Sequence, residues 1–228
     1  MIELKNKNVI IVGPSSYLEG RGCGEFIDSF DTVVRINNLH DTNDPQLVKD
    51  LGKRTDIVYY DGSVDNKRFN SYLNAQPQGI ICTYPETEWF FEERCRGVIE
   101  ALNPHFNNRV VDSKLYTELK QNLDPNMKVR PNSGLVAIVD LLTTQLKQLY
   151  ITGIDFYRNS YANYYPDYGN LDLDSVKKIL RKGDNGDIHD INKQFKYFKN
   201  VVSRDIRIKT DEVLGEYLTN PKYETVTF

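Results

Sequence analysis

Cysteine is scarce in this 228-residue chain: three residues, Cys23, Cys82 and Cys95, with no C-x-x-C spacing. An odd count without that spacing argues against a disulfide framework and against a structural zinc site. No apolar run approaches the roughly 20 residues that span a bilayer. The opening Met1-Ile2-Glu3-Leu4-Lys5 has no secretory leader pattern. A cytoplasmic, reducing setting, not a secreted one, is therefore the expectation. Excess positive charge is missing as well. Lys and Arg number 29 against 32 Asp and Glu, a net charge of −3, so nothing points to nucleic acid as a partner. Metal-binding patterns are absent too: no D-x-D behind a strand, no H-E-x-x-H and no Cys/His cluster. Asp65, Asp155 and Asp167 stand apart from one another. Neither a metal nor a bound cofactor is expected.

What is present suits a packed core. Hydrophobic residues make up 39% and charged residues 27%, and the length fits one α/β domain over residues 1–228. Tyr (15) and Phe (10) are abundant. Tyrosine rings stack on sugar C–H faces while their hydroxyls bond to sugar hydroxyls, although tyrosine is also an ordinary core residue.

Short β-branched runs at 9–12, 31–35, 56–60, 79–82 and 149–153 predict strands, and 206–208 a last one. Helices are predicted over about 17–29, 64–75, 89–102, 133–146 and 190–202. Residues 103–130 read as polar and mixed, and 157–172 as a long, lid-like mobile loop of the kind that often carries function. Strands alternating with helices imply a Rossmann-like α/β/α fold with a mostly parallel sheet. Ligands bind such sheets at the carboxyl ends of the strands. Gly13–Ser16, Asn37-Asn38 and Gly153–Tyr157 each follow a strand, so they are expected on one rim.

Three stretches carry candidate chemistry. In Gly13-Pro14-Ser15-Ser16, glycine permits a sharp turn and close approach, and hydroxyls with free N–H groups favour a phosphate. The loop lacks G-K-[ST] and G-x-G-x-x-G, which argues against ATP and NAD. Alone it reads equally well as an ordinary strand-to-helix turn. Asn132-Ser133-Gly134 opens an apolar helix and supplies an N-cap and a positive helix end; capping alone also explains it. His189, just before a helix, is expected to have its pKa depressed by that helix's positive end, leaving a neutral base. A surface or capping histidine is the plainer reading of that residue by itself. His40 and His105 receive no role.

Taken together, these stretches resemble the sialyltransferases. Val9-Ile10-Ile11-Val12-Gly13-Pro14-Ser15-Ser16-Tyr17-Leu18, with Glu25–Asp31 and Arg35-Ile36-Asn37-Asn38, resembles the long sialyl motif of the eukaryotic family. Asp50-Leu51-Gly52-Lys53-Arg54-Thr55 continues it. Arg130-Pro131-Asn132-Ser133-Gly134-Leu135, with Leu149–Asp155, resembles the short motif. Asn163-Tyr164-Tyr165 sits where His-Tyr-Tyr is usual, and His189 followed by Gln194 resembles the terminal His-x4-Glu. Gly153-Ile154-Asp155-Phe156-Tyr157 is also similar to the Campylobacter-type bacterial enzymes.

The resemblance implies a GT-A-like, metal-independent, inverting glycosyltransferase that uses a CMP-sugar. The donor would be CMP-sialic acid or the related CMP-Kdo, and the acceptor a hydroxyl of an oligosaccharide or lipopolysaccharide-type glycan. It assigns Ser15, Ser16 and Asn37 to the donor's phosphate, ribose or cytosine, with Gly13 also in the donor site. Asn132, Ser133, Gly134, Gly153, Asn163 and Tyr164 would complete the donor site. His189 would be the general base, with Tyr157 and Tyr161 donating to the leaving phosphate and Tyr164 the alternative to Tyr161. Pro14, Asn163 and Gln194 depart from the family pattern, as does the absence of its bridging cysteines near Asn8 and Gln148. Those departures leave open a catalytically weakened CMP-sugar-binding protein. The missing cysteines and Golgi anchor suit a bacterial or viral source.

Overall fold

The computed structural model describes residues 2–165, 168–182 and 189–223, with side chains of 179–182 excepted. Seven strands form one wholly parallel sheet: β1 (Asn8–Val12), β2 (Thr32–Ile36), β3 (Ile57–Tyr60), β4 (Gly79–Cys82), β5 (Asn108–Val110), β6 (Gln148–Thr152) and β7 (Ile208–Thr210). Their order is β5-β4-β3-β2-β1-β6-β7. The predicted α/β class with a parallel central sheet is therefore what the chain adopts.

Helices cover both faces, as a parallel sheet requires. The period of two along β1 divides its side chains between two cores. Ile10 and Val12 pack with Leu18, Ile27, Phe30 and Leu51. Val9 and Ile11 face the larger core with Leu135, Ile138, Phe195 and Phe198. Each such fully buried aliphatic side chain contributes about 1.5–3 kcal/mol.

The helices are α1 (Gly24–Asp28), α2 (Pro45–Leu51), α3 (Asn66–Ala75), α4 (Gly97–Leu102), α5 (Ser113–Leu123), α6 (Ser133–Leu142), α7 (Leu173–Lys182), α8 (Ile191–Asn200) and α9 (Glu212–Thr219). Several differ from the sequence expectation for identifiable reasons. The helix expected over 17–29 is broken at Gly20 and Gly22, which adopt left-handed φ of 77° and 65°. Their N–H groups donate to the Asp50 carboxylate at 2.8 Å each, bonds that a continuous helix would forbid. The stretch 103–130 holds β5 and α5, the latter started by Asp112 accepting from the Leu115 N–H. The last strand lies at 208–210; Ile206 sits 91% exposed in the turn before it. One further helix, α9, follows on an Asp211 cap. The loop expected over 157–172 is pinned to the first one: Ser15 and Tyr161 form an antiparallel bridge, and the Ala162 N–H donates to the Pro14 carbonyl at 2.8 Å. Positions 166–167 of that loop lie outside the described residues.

The chain reverses its lateral direction between β1 and β6, which places the topological switch point there. The segments leaving these two strands touch. A Cβ on Gly13 would lie 2.3 Å from the Gly153 carbonyl oxygen, and one on Gly153 would lie 2.4 Å from the Gly13 oxygen. Gly153 also has φ +70°, a conformation strained for any other residue. Tyr17 and Asp211 hold this turn. The Gly153 N–H donates to the Tyr17 hydroxyl at 2.6 Å, that hydroxyl donates to Asp211, and Thr152 Oγ1 donates to the same carboxylate at 2.7 Å.

Gly153→Ala and Gly13→Ala are each expected to cost about 2–4 kcal/mol, from backbone collision and, at Gly153, from φ strain as well. Urea unfolding of the two variants against the parent checks this; midpoints within error of the parent would contradict the packing described.

Candidate active site

A cleft opens at the carboxyl ends of the strands, and five stretches of chain that carry expected site residues build most of its wall. The first is the turn after β1. Ser15 lines the cleft, its N–H donating to the Gly153 carbonyl at 3.0 Å and its hydroxyl donating to Asp155 at 2.7 Å. Asp155 also accepts from the backbone and side-chain N–H of Asn159 at 2.9 and 2.8 Å. Burial raises the Asp155 pKa, and these donors oppose that shift. The carboxylate thus ties the turn after β1 to the turn after β6.

The second stretch is Asn37, just past β2, in the left-handed region at φ 57°. Asparagine tolerates that conformation better than most residues. Its N–H donates to the Tyr59 carbonyl at 2.7 Å, its own carbonyl accepts from Tyr72 at 2.6 Å, and its side-chain NH₂ donates to the Tyr165 hydroxyl at 3.2 Å. Its side-chain oxygen is buried and meets no protein donor. A buried acceptor on a cleft wall without a partner is a place for a ligand N–H or O–H.

The third is the start of α6. The Asn132 side chain caps the helix by accepting from the Leu135 N–H at 2.8 Å. Ser133 and Gly134 present the next backbone N–H groups at the positive helix end, where an anion is favoured. A Cβ on Gly134 would lie 3.4 Å from Ile36 Cδ1, so the helix start lies close to the end of β2. From behind, Gln194 of α8 fixes it: fully buried, its side-chain oxygen accepts from the Asn132 N–H at 2.8 Å.

The fourth is the run after β6. Phe156 and Tyr157 both take left-handed φ, 54° and 59°. Phe156 is anchored between Phe195 and Phe198, with ring centroids at 5.5 and 5.1 Å. That anchor sustains the strain and puts Tyr157 on the cleft wall, beside Tyr161 at 5.9 Å. Tyr161 stacks against Tyr165 at 4.7 Å and Tyr168 at 5.0 Å. Burial is the main cause pushing the Tyr157 pKa up to about 12 and that of Tyr161 well above its usual value. Both hydroxyls therefore remain protonated donors at neutral pH.

The fifth is His189. Its Nδ1 lies 2.8 Å from the Arg130 carbonyl oxygen, which can only accept, so the proton sits on Nδ1 and Nε2 keeps its lone pair. Burial, then the nearby Arg130 charge, depress its pKa to about 4. The expected depression is present, with withdrawal from solvent and the Arg130 guanidinium as its principal causes.

Nine of the thirteen expected residues thus line one cleft: Ser15, Asn37, Asn132, Ser133, Gly134, Gly153, Tyr157, Tyr161 and His189. Gly13 lies against Gly153 beneath it. The other three do not line it. Ser16 is turned to Ser160, hydroxyl to hydroxyl at 3.0 Å. Asn163 is held outside by Glu19, its N–H donating at 2.6 Å. Tyr164 packs in the core on the opposite sheet face, 5.9 Å from His40. Tyr165 occupies the wall where Tyr164 was expected. Asp61, Tyr84, Asp155 and Asn159, none of them among the thirteen, also line the cleft. Asp155 and Tyr165 stood inside recognised motifs; Asp61 and Tyr84, each just past a strand end, shared the positional cue that marked Asn37. Among the described residues, no three His, Cys, Asp or Glu side chains gather as metal ligands would. Among them, too, no helix is long and apolar enough to cross a membrane.

A wholly parallel sheet with a polar cleft at its switch point defines a Rossmann-like α/β protein of the ligand-binding kind. Within that class the chain is similar in fold to sialyltransferases. Residues 3–85 match the model of glycosyltransferase family 29 (sialyltransferase). The monofunctional alpha-2,3-sialyltransferase Cst-I from Campylobacter jejuni shares the fold at TM-score 0.58 and 17% identity, covering 100% of this chain and 85% of that one. A CstII sialyltransferase variant in complex with CMP aligns at 0.57 and 17%, covering 97% and 90%; CstII is also a Campylobacter jejuni protein. A mammalian sialyltransferase in complex with Gal-beta-1-3GalNAc-ortho-nitrophenol aligns at 0.52 and 16%, covering 90% and 69%. No curated protein matches the chain in sequence.

His40, bonded through Nε2 to the Gly52 carbonyl at 2.7 Å, is likewise depressed to about 4, by burial first and then by Arg35. Between pH 6.5 and 4 the unfolded chain therefore takes up two protons that the folded chain refuses. Stability is full above pH 6.5 and falls as pH drops toward 4, at up to about 1.4 kcal/mol per pH unit per histidine. Urea unfolding at pH 7, 5.5 and 4.5 measures this. His189→Gln should remove about half the slope, and a flat profile in the parent would refute the assignment.

Proposed function

We propose that the protein transfers sialic acid, or a related 2-keto acid sugar such as Kdo, from its CMP ester to a hydroxyl of a glycan, with inversion and without a metal. The arrangement of His189 carries this reading: a neutral imidazole with its proton held on Nδ1 by the Arg130 carbonyl, on the wall that the α6 start and two protonated tyrosines also line. In the proposed step Nε2 takes the proton of the acceptor hydroxyl as its oxygen attacks the anomeric carbon. The bond from that carbon to the phosphate oxygen breaks on the opposite face, and CMP leaves with the electron pair. The Tyr157 and Tyr161 hydroxyls donate to the leaving phosphate, supplying the stabilisation a cation would otherwise give. The N–H groups of Ser133 and Gly134 hold the sugar carboxylate at the helix end. The open acceptor of Asn37, with Ser15, receives the nucleoside. The neighbour bound to CMP and the mammalian neighbour bound to a galactoside support a CMP-sugar donor and a glycan acceptor.

The test is release of CMP from CMP-sialic acid and, separately, from CMP-Kdo, alone and with a glycan panel. Slow hydrolysis accelerated by an acceptor is expected, and activity should survive EDTA. His189→Ala should lower transfer about 10²- to 10⁴-fold. Tyr157→Phe should reduce kcat more than CMP affinity, and Ser133→Ala should raise the donor KM. CMP binding with no turnover of either donor would leave a binding protein and sink the transferase reading.

A further inference from the structure

Trp89, the sole tryptophan of the chain, is 59% exposed on the turn after β4. Burying such a ring is worth several times the burial of a methyl group, so its exposure on a firmly built turn is notable. The turn is rigid for four reasons. Thr83, at its base, bonds to the Tyr60 carbonyl at 3.1 Å and lies 3.3 Å from the Ser133 hydroxyl. Tyr84 is buried and lines the cleft. Glu88 forms an ion pair with Lys120 at 3.1 Å, with both side chains only 10% exposed. Phe90 is buried, meeting Tyr84 edge-on at 4.9 Å and Trp89 edge-on at 5.3 Å.

The turn also has a side. The Arg130 guanidinium lies over Tyr84 and Phe90 at 5.6 and 5.7 Å, and the carbonyl of that same residue holds His189. Trp89, against Phe90 and outside the cleft lining, therefore stands beyond the Tyr84–Arg130 flank that backs the proposed base. An acceptor presents its reacting hydroxyl to that base, so the remainder of the acceptor extends along this flank.

We propose that Trp89 is an acceptor subsite: its indole face stacks on the C–H face of a sugar next to the one that reacts, while Glu86 and Thr87, exposed on the same turn, meet that sugar's hydroxyls. The proposal rests on the glycan-transferase reading above. It assigns acceptor length: a chain of two or more sugars engages Trp89, whereas a single sugar does not. An exposed Trp held by buried neighbours needs no ordering on binding, which is what makes a stacking platform effective.

The lone indole is its own reporter. In the CMP-bound protein, emission of Trp89 should shift and saturate on titration with an oligosaccharide acceptor, and stay constant with the matching monosaccharide. In steady-state assays Trp89→Ala should raise the oligosaccharide KM about tenfold, with kcat and the donor KM each moving less than twofold, and Trp89→Phe should recover most of the loss. Constant emission at saturating concentrations of a glycan that the enzyme uses, or an unchanged acceptor KM in Trp89→Ala, overturns the subsite. Failure of the transferase reading shows separately, as absent turnover of any CMP-sugar. The emission titration with the glycan panel still decides the subsite in that case, since it needs no chemistry: a saturable response upholds a glycan site at Trp89, and silence across the panel removes it.

Discussion

Two peptide units in contact, those leaving β1 and β6, organise the rest of the molecule. Gly13 and Gly153 face each other so closely that neither has room for a side chain. Because they touch, the Ser15 N–H reaches the Gly153 carbonyl, the Ser15 hydroxyl reaches Asp155, and the 160–162 backbone can lie along residues 14–16. The cleft is the space these contacts leave above the sheet. On the far side, Tyr17, Thr152 and Asp211 lock the same turn from beneath. Wall and foundation thus share one crossing point, and the strain stored at Phe156 and Tyr157 is concentrated beside it.

The charge environment follows from what that crossing excludes. His189 is kept neutral by being taken out of water next to a guanidinium, and the tyrosines are kept protonated by the same withdrawal. Desolvation pushes a histidine and a tyrosine in opposite directions on the pH scale, yet both end in the uncharged form. One physical cause thereby prepares a proton acceptor and proton donors on the same wall.

Much of this was legible from local signals. A β-branched run stopped by Gly-Pro, an Asn-Ser-Gly helix start and a histidine ahead of an amphipathic helix each need only a few neighbouring residues to be read, and Ser15, Asn132 to Gly134 and His189 do meet. Register was harder. Whether Tyr164 or Tyr165 enters the cleft depends on a turn at 163–164 set by Glu19, which is 144 residues away in sequence. Asp155 and Gln194 also act through partners remote in sequence: Ser15 across 140 residues, and the Asn132 amide across 62. The string Asp50–Thr55 has a different lesson. Its side chains hold the scaffold: Asp50 binds the Gly20 and Gly22 amides, and Arg54 bonds to the carbonyls of Asp28, Phe30 and Asp31. A motif can mark a family by its framework as much as by its chemistry.

The strand order has a consequence for biosynthesis. β1 pairs with β6, a partner whose last residue is Thr152. The nascent chain must therefore hold β1 with one edge uncovered until β6 has left the ribosome, and the segment bearing His189 emerges later still. Such long-range parallel pairing is slow and leaves an exposed edge open to wrong partners meanwhile. Since the cleft exists only after β6 docks, a molecule able to grip a ligand there is one whose sheet has already closed, and such a ligand would draw late folding intermediates toward the finished state by mass action.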